Sequence, residues 1–183
     1  MRRRDRRRWH DVRTRNQAWL EPWEATQPPG VSGGPLSFGG LVASLNREAH
    51  AGRALPFVIA VRGRLAGQLT VAGITYGAYR GANIGYWIDR SLAGRGYTST
   101  AVALAADHCF GALGLHRVEI NIRPENERSR RVAIACGFAE EGTRQRYLHI
   151  DGAWRDHLCY VMFAEDVPPG GVMSILTTHR RDT

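Results

Sequence analysis

Gly94-Arg95-Gly96-Tyr97-Thr98-Ser99 is the stretch of this 183-residue chain whose residue types and spacing point most directly to chemistry. It lies between an apolar, strand-like run ending at Asp89 and a helix-like run starting near Thr98. Glycines there let successive backbone N–H groups turn into one concavity, and a helix N-terminus adds its partial positive charge. Such a place suits a pyrophosphate. The plainer alternative is a loop in which a serine or threonine caps the helix. No Gly-Lys-Ser/Thr follows, which excludes a Walker loop, and the third glycine and flanking parallel strands of a dinucleotide fingerprint are missing. Further along, alternation over 116–123 puts Val118, Ile120 and Ile122 on one side and Glu119 and Asn121 on the other. Glu119 then either reaches a cleft as a proton acceptor or makes an outward salt bridge, and His149 is a second candidate base. Ser129, taken alone, is a first-turn helix residue that satisfies a backbone group. The three cysteines, Cys109, Cys136 and Cys159, are odd in number and lack ligand spacing, so neither a disulfide framework nor a metal site is expected.

The elements that must position these residues can be read from periodicity. Trp9, Val12, Asn16, Trp19 and Leu20 recur at spacings of three and four, which predicts a helix over 6–20, ended by Pro22. Residues 27–40 are a loop by composition, and a second helix follows over 41–50. Three strands, 55–61, 65–74 and 82–89, are joined by short turns at Arg62-Gly63-Arg64 and 76–81, an antiparallel meander. After the glycine turn come a helix (98–113), a strand (116–123), a helix (127–136) and two strands (138–149 and 155–163) that meet at Asp151-Gly152. Gly142 marks a bulge. A single α+β domain over 1–166, around one mixed and mostly antiparallel sheet with about four helices, is the expected fold, followed by a tail over 167–183.

Composition narrows the class. At 43% hydrophobic and 23% charged residues the chain is globular, and no run of 18 apolar residues predicts a membrane span. No signal peptide is expected, since Trp9-His10-Asp11 stands where its apolar region would begin; the expected location is the cytoplasm. The chain has no lysine, so all 25 basic residues are arginines. Residues 1–15 hold eight arginines and two aspartates, a net +6 of the total +8. That local excess reads as a solvated helix face or as a nucleic-acid contact.

Several motifs then resemble one family, the GNAT N-acetyltransferases, whose acetyl-CoA pyrophosphate loop has the form Gln/Arg-x-x-Gly-x-Gly/Ala. Ala93-Gly94-Arg95-Gly96-Tyr97-Thr98 keeps its central glycine, with Ala93 and Thr98 departing at the ends. The likeness extends to Ile84-Gly85-Tyr86-Trp87-Ile88-Asp89, to the run Arg123 to Ser129, to Cys136-Gly137-Phe138 and to the run Asp151 to His157. With Trp19-Leu20-Glu21-Pro22-Trp23-Glu24, these look like the RimJ/RimL branch, the ribosomal-protein N-terminal alanine acetyltransferases. The branch opens with a strand just before the arginine-rich stretch; Met1 falls where that strand would end, so the first strand is expected to be missing or truncated.

The resemblance implies acetyl-CoA as cosubstrate and direct attack of an amine on its thioester. It places the cosubstrate along Trp87, Ile88 and Asp89, over Gly94 to Ser99 (Gly94, Arg95, Gly96, Tyr97, Thr98, Ser99), and beside Asn126 and Ser129, with a backbone N–H at Ile88 polarising the thioester carbonyl. The tyrosine that many members use for the leaving thiolate would fall at Ala133, so the role passes to Ser129, as in RimL-like members. The glutamate such members carry as base would fall at Leu148, so the base is Glu119 or His149 as read from the strands, or a weak, water-mediated one suited to an α-amine. Trp19 and Trp23 are expected to line the acceptor groove or to pack in the core, and Asp156-His157 to be structural. The implied acceptor is a protein N-terminus, with a small-molecule amine and a non-catalytic ribosome- or RNA-binding module as alternatives, in a monomer or homodimer.

Overall fold

Alternating apolar positions and two-residue turns set the sheet. In the computed structural model, which describes residues 2–30 and 36–179, strand β1 (Ala54–Val61) meets β2 (Arg64–Thr75) through Arg62-Gly63, both at positive φ (50° and 73°). Asp151-Gly152 does the same (49° and 73°) between β5 (Ala139–Ile150) and β6 (Ala153–Phe163). Two successive left-handed residues give the turn whose twist matches that of a hairpin. With β3 (Gly81–Ile88) and β4 (Arg117–Ile122) the sheet has the order β1-β2-β3-β4-β6-β5. Every neighbouring pair is antiparallel except β3 and β4, which are parallel and therefore need a crossover.

The crossover is α4 (Tyr97–Gly111), an alanine-rich helix whose Val102, Ala103, Ala106 and Cys109 are fully buried. It lies on one sheet face beside α5 (Glu127–Ala135) and α6 (Gly171–His179). Leu69, Val71, Ile84, Val118, Ile120, Phe138 and Met162 complete that core. On the other end of the meander, α1 (Arg6–Arg15) contacts β2, and α3 (Phe38–His50) contacts β1, with Val12 and Val42 buried. A single-turn α2 (Gln17–Leu20) and a 3-10 turn over Glu21–Trp23 connect them to the loop, part of which, 31–35, lies outside the described residues.

Four sequence expectations change here. The helix over 6–20 is broken at Asn16, which is buried at 3% exposure; its Nδ2 donates to Val12 O (2.8 Å) and its Oδ1 accepts from Arg90 N (2.9 Å). A mid-helix asparagine that finds both partners competes with the helical ladder. Helix α3 starts three residues early because Ser37 Oγ accepts from Gly40 N. Among the described residues six α-helices, counting the single turn α2, flank the sheet where about four were expected. The stretch read as a tail carries α6, with Val172 and Leu176 in the core; Asp107 of α4 caps its N-terminus by accepting from Val172 N (2.6 Å) and Met173 N (3.3 Å). Residues 180–183 lie outside the described residues. The expected bulge at Gly142 is present, and among the described residues no strand precedes β1; only a single bridge, Ala25 with Ile150, adds to the sheet.

Candidate active site

The parallel pair opens the site. β3 and β4 are paired only from Gly81–Asn83 to Arg117–Glu119; beyond that, among the described residues, they part, while β3 stays paired to β2 as far as Ile88 and β4 to β6 as far as Ile122. A wedge is left between the C-terminal halves of two strands, edged on one side by Ile84–Ile88. The glycine loop follows directly. Gly94 and Gly96 both sit at positive φ (75° and 78°), and a Cβ built on Gly94 would meet open space. Gly96 is the N-cap of α4, and being a glycine it supplies no side-chain cap of its own. The first ladder bond runs from Thr100 N to Gly96 O (3.0 Å), so the N–H groups of Tyr97, Thr98 and Ser99 precede it. The serine or threonine cap of the plainer reading is thus absent among the described residues, and the first turn is shaped for an anion. Arg95 is exposed beside it; Ser99 is buried, and its carbonyl accepts from the Cys136 thiol (3.3 Å), tying α4 to α5.

On the other side of the wedge, Asn126 caps α5 by accepting from Ser129 N (3.1 Å). Ser129 Oγ lies 2.8 Å from the Tyr86 hydroxyl, which also reaches Ser129 O (3.2 Å). Tyr86 was not singled out from the sequence. The signal was available, because alternation puts it on the side of Ile84 and Ile88, facing the helices. Its burial pushes the phenol above its ordinary value, which keeps it a neutral hydrogen-bond donor.

Other expected residues take structural partners. The Trp87 ring lies on the opposite face, with the Arg13 guanidinium 5.4 Å from its centre. The Asp89 carboxylate is buried against Arg15 and accepts from Ser91 N (3.1 Å) and Oγ (3.0 Å). Burial alone would raise it, but Arg15 and the Ser91 donors hold it below its usual range. Glu119 is not on an outward surface bridge: at 4% exposure it sits between Arg117 Nε (2.7 Å) and an Arg144 guanidinium nitrogen (2.6 Å), with the Tyr79 hydroxyl donating at 3.1 Å. Burial pushes its carboxyl up, and the two guanidiniums outweigh that and hold it low. A carboxylate so held is a weak proton acceptor. His149 is likewise engaged, its Nδ1 2.8 Å from Thr26 Oγ1. His157 is buried near the end of β4, and burial depresses its imidazole pKa.

Trp19 and Trp23 are placed across the open strand ends. Trp19 Nε1 donates to Ile88 O (3.1 Å), and its ring lies under Arg128 (4.7 Å) and Arg90 (5.9 Å). Trp23 lies under Arg123 (5.5 Å), which also donates to Pro22 O (2.8 Å). The mouth of the wedge is therefore made of tryptophans with stacked guanidiniums. Of the carboxylates on these segments, Glu24 is paired with Arg13 and Glu125 with Arg123, while Glu21 and Glu127 face solvent.

Comparison with known proteins gives concordant matches. A family model, the acetyltransferase (GNAT) domain, matches residues 2–139. The chain is 27% identical over 170 residues to the [ribosomal protein uS5]-alanine N-acetyltransferase of Escherichia coli, across 91% of this chain and 87% of that protein. It is 39% identical over 94 residues to the probable N-acetyltransferase YjcK of Bacillus subtilis, about half of each chain (51% and 52%). Among solved structures it is similar to Mycobacterium smegmatis RimJ in complex with CoA-disulfide, with a TM-score of 0.91 and 42% identity over 99% of this chain and 87% of that one. Spermidine N-acetyltransferase from Vibrio cholerae in complex with CoA and spermine shares the fold (TM-score 0.72, 24% identity, 91% and 94% covered).

Proposed function

Because the chain belongs to the GNAT acetyltransferase family, and is thus an N-acetyltransferase with acetyl-CoA as its cosubstrate, we propose that its acceptor is the α-amino group of a protein N-terminus, alanine at a ribosomal protein being the leading case, and that it works in the cytoplasm. The residues present fit the cosubstrate. The uncapped first turn of α4 behind Gly94 and Gly96 offers N–H groups to its pyrophosphate, and the edge of β3 from Ile84 to Ile88 offers backbone to its pantetheine arm.

The observation that carries the acceptor reading is the charge of the mouth. Arg90 and Arg128 stand over the Trp19 ring with no ion pair to either among the described residues, Arg123 over Trp23 is paired with Glu125 and Glu24 with Arg13, and the remaining acids, Glu21 and Glu127, point to solvent and not onto the tryptophans. A polyamine would bring several positive charges and find guanidiniums, not carboxylates, on the Trp19 face. A peptide brings one amine to it. The uS5-alanine relative supports the same direction.

The chemistry asks little of a base. An α-amine has a pKa of about 7.7–8.0, so about a tenth is neutral at pH 7, whereas a lysine amine at about 10.4 is almost wholly charged. The amine can release its proton to water at the open mouth. We assign the Ile88 backbone N–H to the thioester carbonyl, where charge develops as the amine adds. Ser129 Oγ–H then donates to the departing thiolate, and for this the Tyr86 hydroxyl, 2.8 Å from Ser129 Oγ and within reach of Ser129 O, turns its proton to the serine oxygen so that the serine proton points at sulfur. The proton that finally rests on sulfur is supplied by solvent, in place of the one the amine gave up. Glu119 is, in this reading, an anchor that ties β4 to Arg117 and Arg144. The test is thiol release from acetyl-CoA with peptides beginning Ala, Ser or Thr, with the same peptides blocked at the α-amine, and with spermidine. Turnover only on free peptides is expected; turnover on spermidine alone would move the acceptor to small amines, and silence on all with intact acetyl-CoA binding would favour a binding module.

A further inference from the structure

A buried polar atom without a partner stands where β3 and β4 part. Asn121 lies two residues beyond the last position at which β4 pairs with β3, Glu119 opposite Asn83. Its Oδ1 is buried and accepts no hydrogen bond among the described residues. Val118, Ile120 and Ile122 are in the core on the helix side of the sheet, so alternation puts Asn121 on the other side with Glu119. The donors around it are engaged elsewhere. Arg117, Arg144 and the Tyr79 hydroxyl donate to Glu119, and His157 Nδ1 lies 3.1 Å from Arg155 O. Cys159, directly opposite on β6, has its sulfur 3.9 Å from an Arg117 guanidinium nitrogen. On the far edge of the wedge, the register Asn83–Glu119 carried on by two residues brings Gly85 to face Asn121. Gly85 is exposed, and a Cβ built on it would meet nothing within 4 Å. An orphaned acceptor beside open space calls for a donor from outside the chain.

We propose that Asn121 Oδ1 holds the acceptor amine, accepting a hydrogen bond from one of its N–H groups as the nitrogen attacks the thioester. Asp89 N donates to Ala66 O (2.7 Å), so the antiparallel alternation points the main-chain groups of Tyr86 and Ile88 away from β2 and into the wedge. A pantetheine arm paired with them lies near the plane of the sheet. Its thioester then shows one face to the helix side and one to the other. The Ser129 and Tyr86 hydroxyls occupy the helix side. The amine therefore comes to the opposite face, the side of Gly85 and Asn121. An amide oxygen is uncharged and orients a neutral amine, whereas a carboxylate at this place would hold an ammonium. Asn121 moves no proton: the amine spends its lone pair on the thioester carbon, and the proton it loses still passes to water. The inference rests on the wedge being the site of transfer and not on which amine is taken.

The test is Asn121→Val, which is apolar and a good strand former. Removing an unpaired buried polar group should leave the urea unfolding midpoint unchanged or raised, and acetyl-CoA binding by calorimetry unchanged. The acceptor kcat/KM should fall about 10- to 100-fold, since orientation is lost with the bond. Asn121→Asp is the complementary variant: its carboxylate should raise the ratio of kcat/KM for spermidine over a peptide beginning Ala by about tenfold. Normal kcat/KM in Asn121→Val, which would make Asn121 a structural residue, would overturn the proposal, as would a loss matched by weakened acetyl-CoA binding. If the unaltered chain turns over spermidine and not the peptide, the N-terminus reading fails, and this inference stands or falls on the same loss measured with spermidine.

Discussion

Replacing Ser129 by alanine removes one hydroxyl from the first turn of α5, where the backbone N–H is still capped by Asn126 (3.1 Å), so the helix start should persist. What is lost is a donor 2.8 Å from Tyr86 and facing the wedge between β3 and β4. A hydrogen bond to a charged partner is worth about 1.5–3 kcal/mol, and if it acts only on the departing thiolate the whole of it appears in kcat, about 10- to 150-fold. Tyr86→Phe keeps the ring that packs on the core and removes only the donor to Ser129 Oγ. A neutral hydrogen bond of about 1 kcal/mol gives about fivefold in kcat. Because Tyr86 acts through Ser129, the double variant should be no slower than Ser129→Ala alone. KM for acetyl-CoA should move little in all three, since neither hydroxyl is assigned to ground-state binding. The assay is steady-state thiol release with a saturating peptide, and binding of acetyl-CoA by calorimetry. Full kcat in Ser129→Ala would refute the assignment, and additive losses in the double variant would refute the positioning role of Tyr86.

Two other perturbations test the loop and the buried charge. Gly96→Ala forces a Cβ into a left-handed conformation (φ 78°), at about 1–2 kcal/mol, and should weaken acetyl-CoA binding by about 5- to 30-fold in calorimetry, with kcat changed less than KM. Glu119→Gln leaves Arg144 beside an uncharged partner in a buried cluster and should cost about 3 kcal/mol of stability in urea unfolding, with a kcat–pH profile that keeps its shape. The sign in pH follows from the depressed carboxyl: the contribution of Glu119 is present above its ordinary value of 4.5 and is lost as pH falls through the lower folded value. A Glu119→Gln enzyme of normal stability that has lost its alkaline rise in kcat would return the base role to this residue.

What was legible in the sequence follows the range of the interactions involved. The Arg62-Gly63 and Asp151-Gly152 turns are local chemistry, and both hairpins could be read from them. The glycine turn was legible as a turn for the same reason: Gly94 and Gly96 are left-handed residues placed just before α4. Residues whose behaviour depends on distant partners were not. Asn16 breaks the first helix because Arg90 N, 74 residues away, offers a donor. The Pro-Pro-Gly-Gly run reads as a tail until Asp107, 65 residues earlier, is seen to cap α6. Glu119 meets the candidate base pattern on alternation alone; Arg144, 25 residues on, takes it into a buried cluster. Tyr86 could have been assigned a face by alternation, but its meeting with Ser129, 43 residues on, comes only from the fold.

The most direct test of the central claim is to locate the acetyl group. A peptide with a free N-terminal alanine and an internal lysine is incubated with the enzyme and acetyl-CoA at neutral pH, and the product is sequenced by tandem mass spectrometry. The arginine-rimmed mouth and the weakly basic α-amine predict a single acetyl on the alanine nitrogen, lost in Ser129→Ala. Acetyl on the lysine side chain, or an untouched peptide beside acetylated spermidine, would contradict the account.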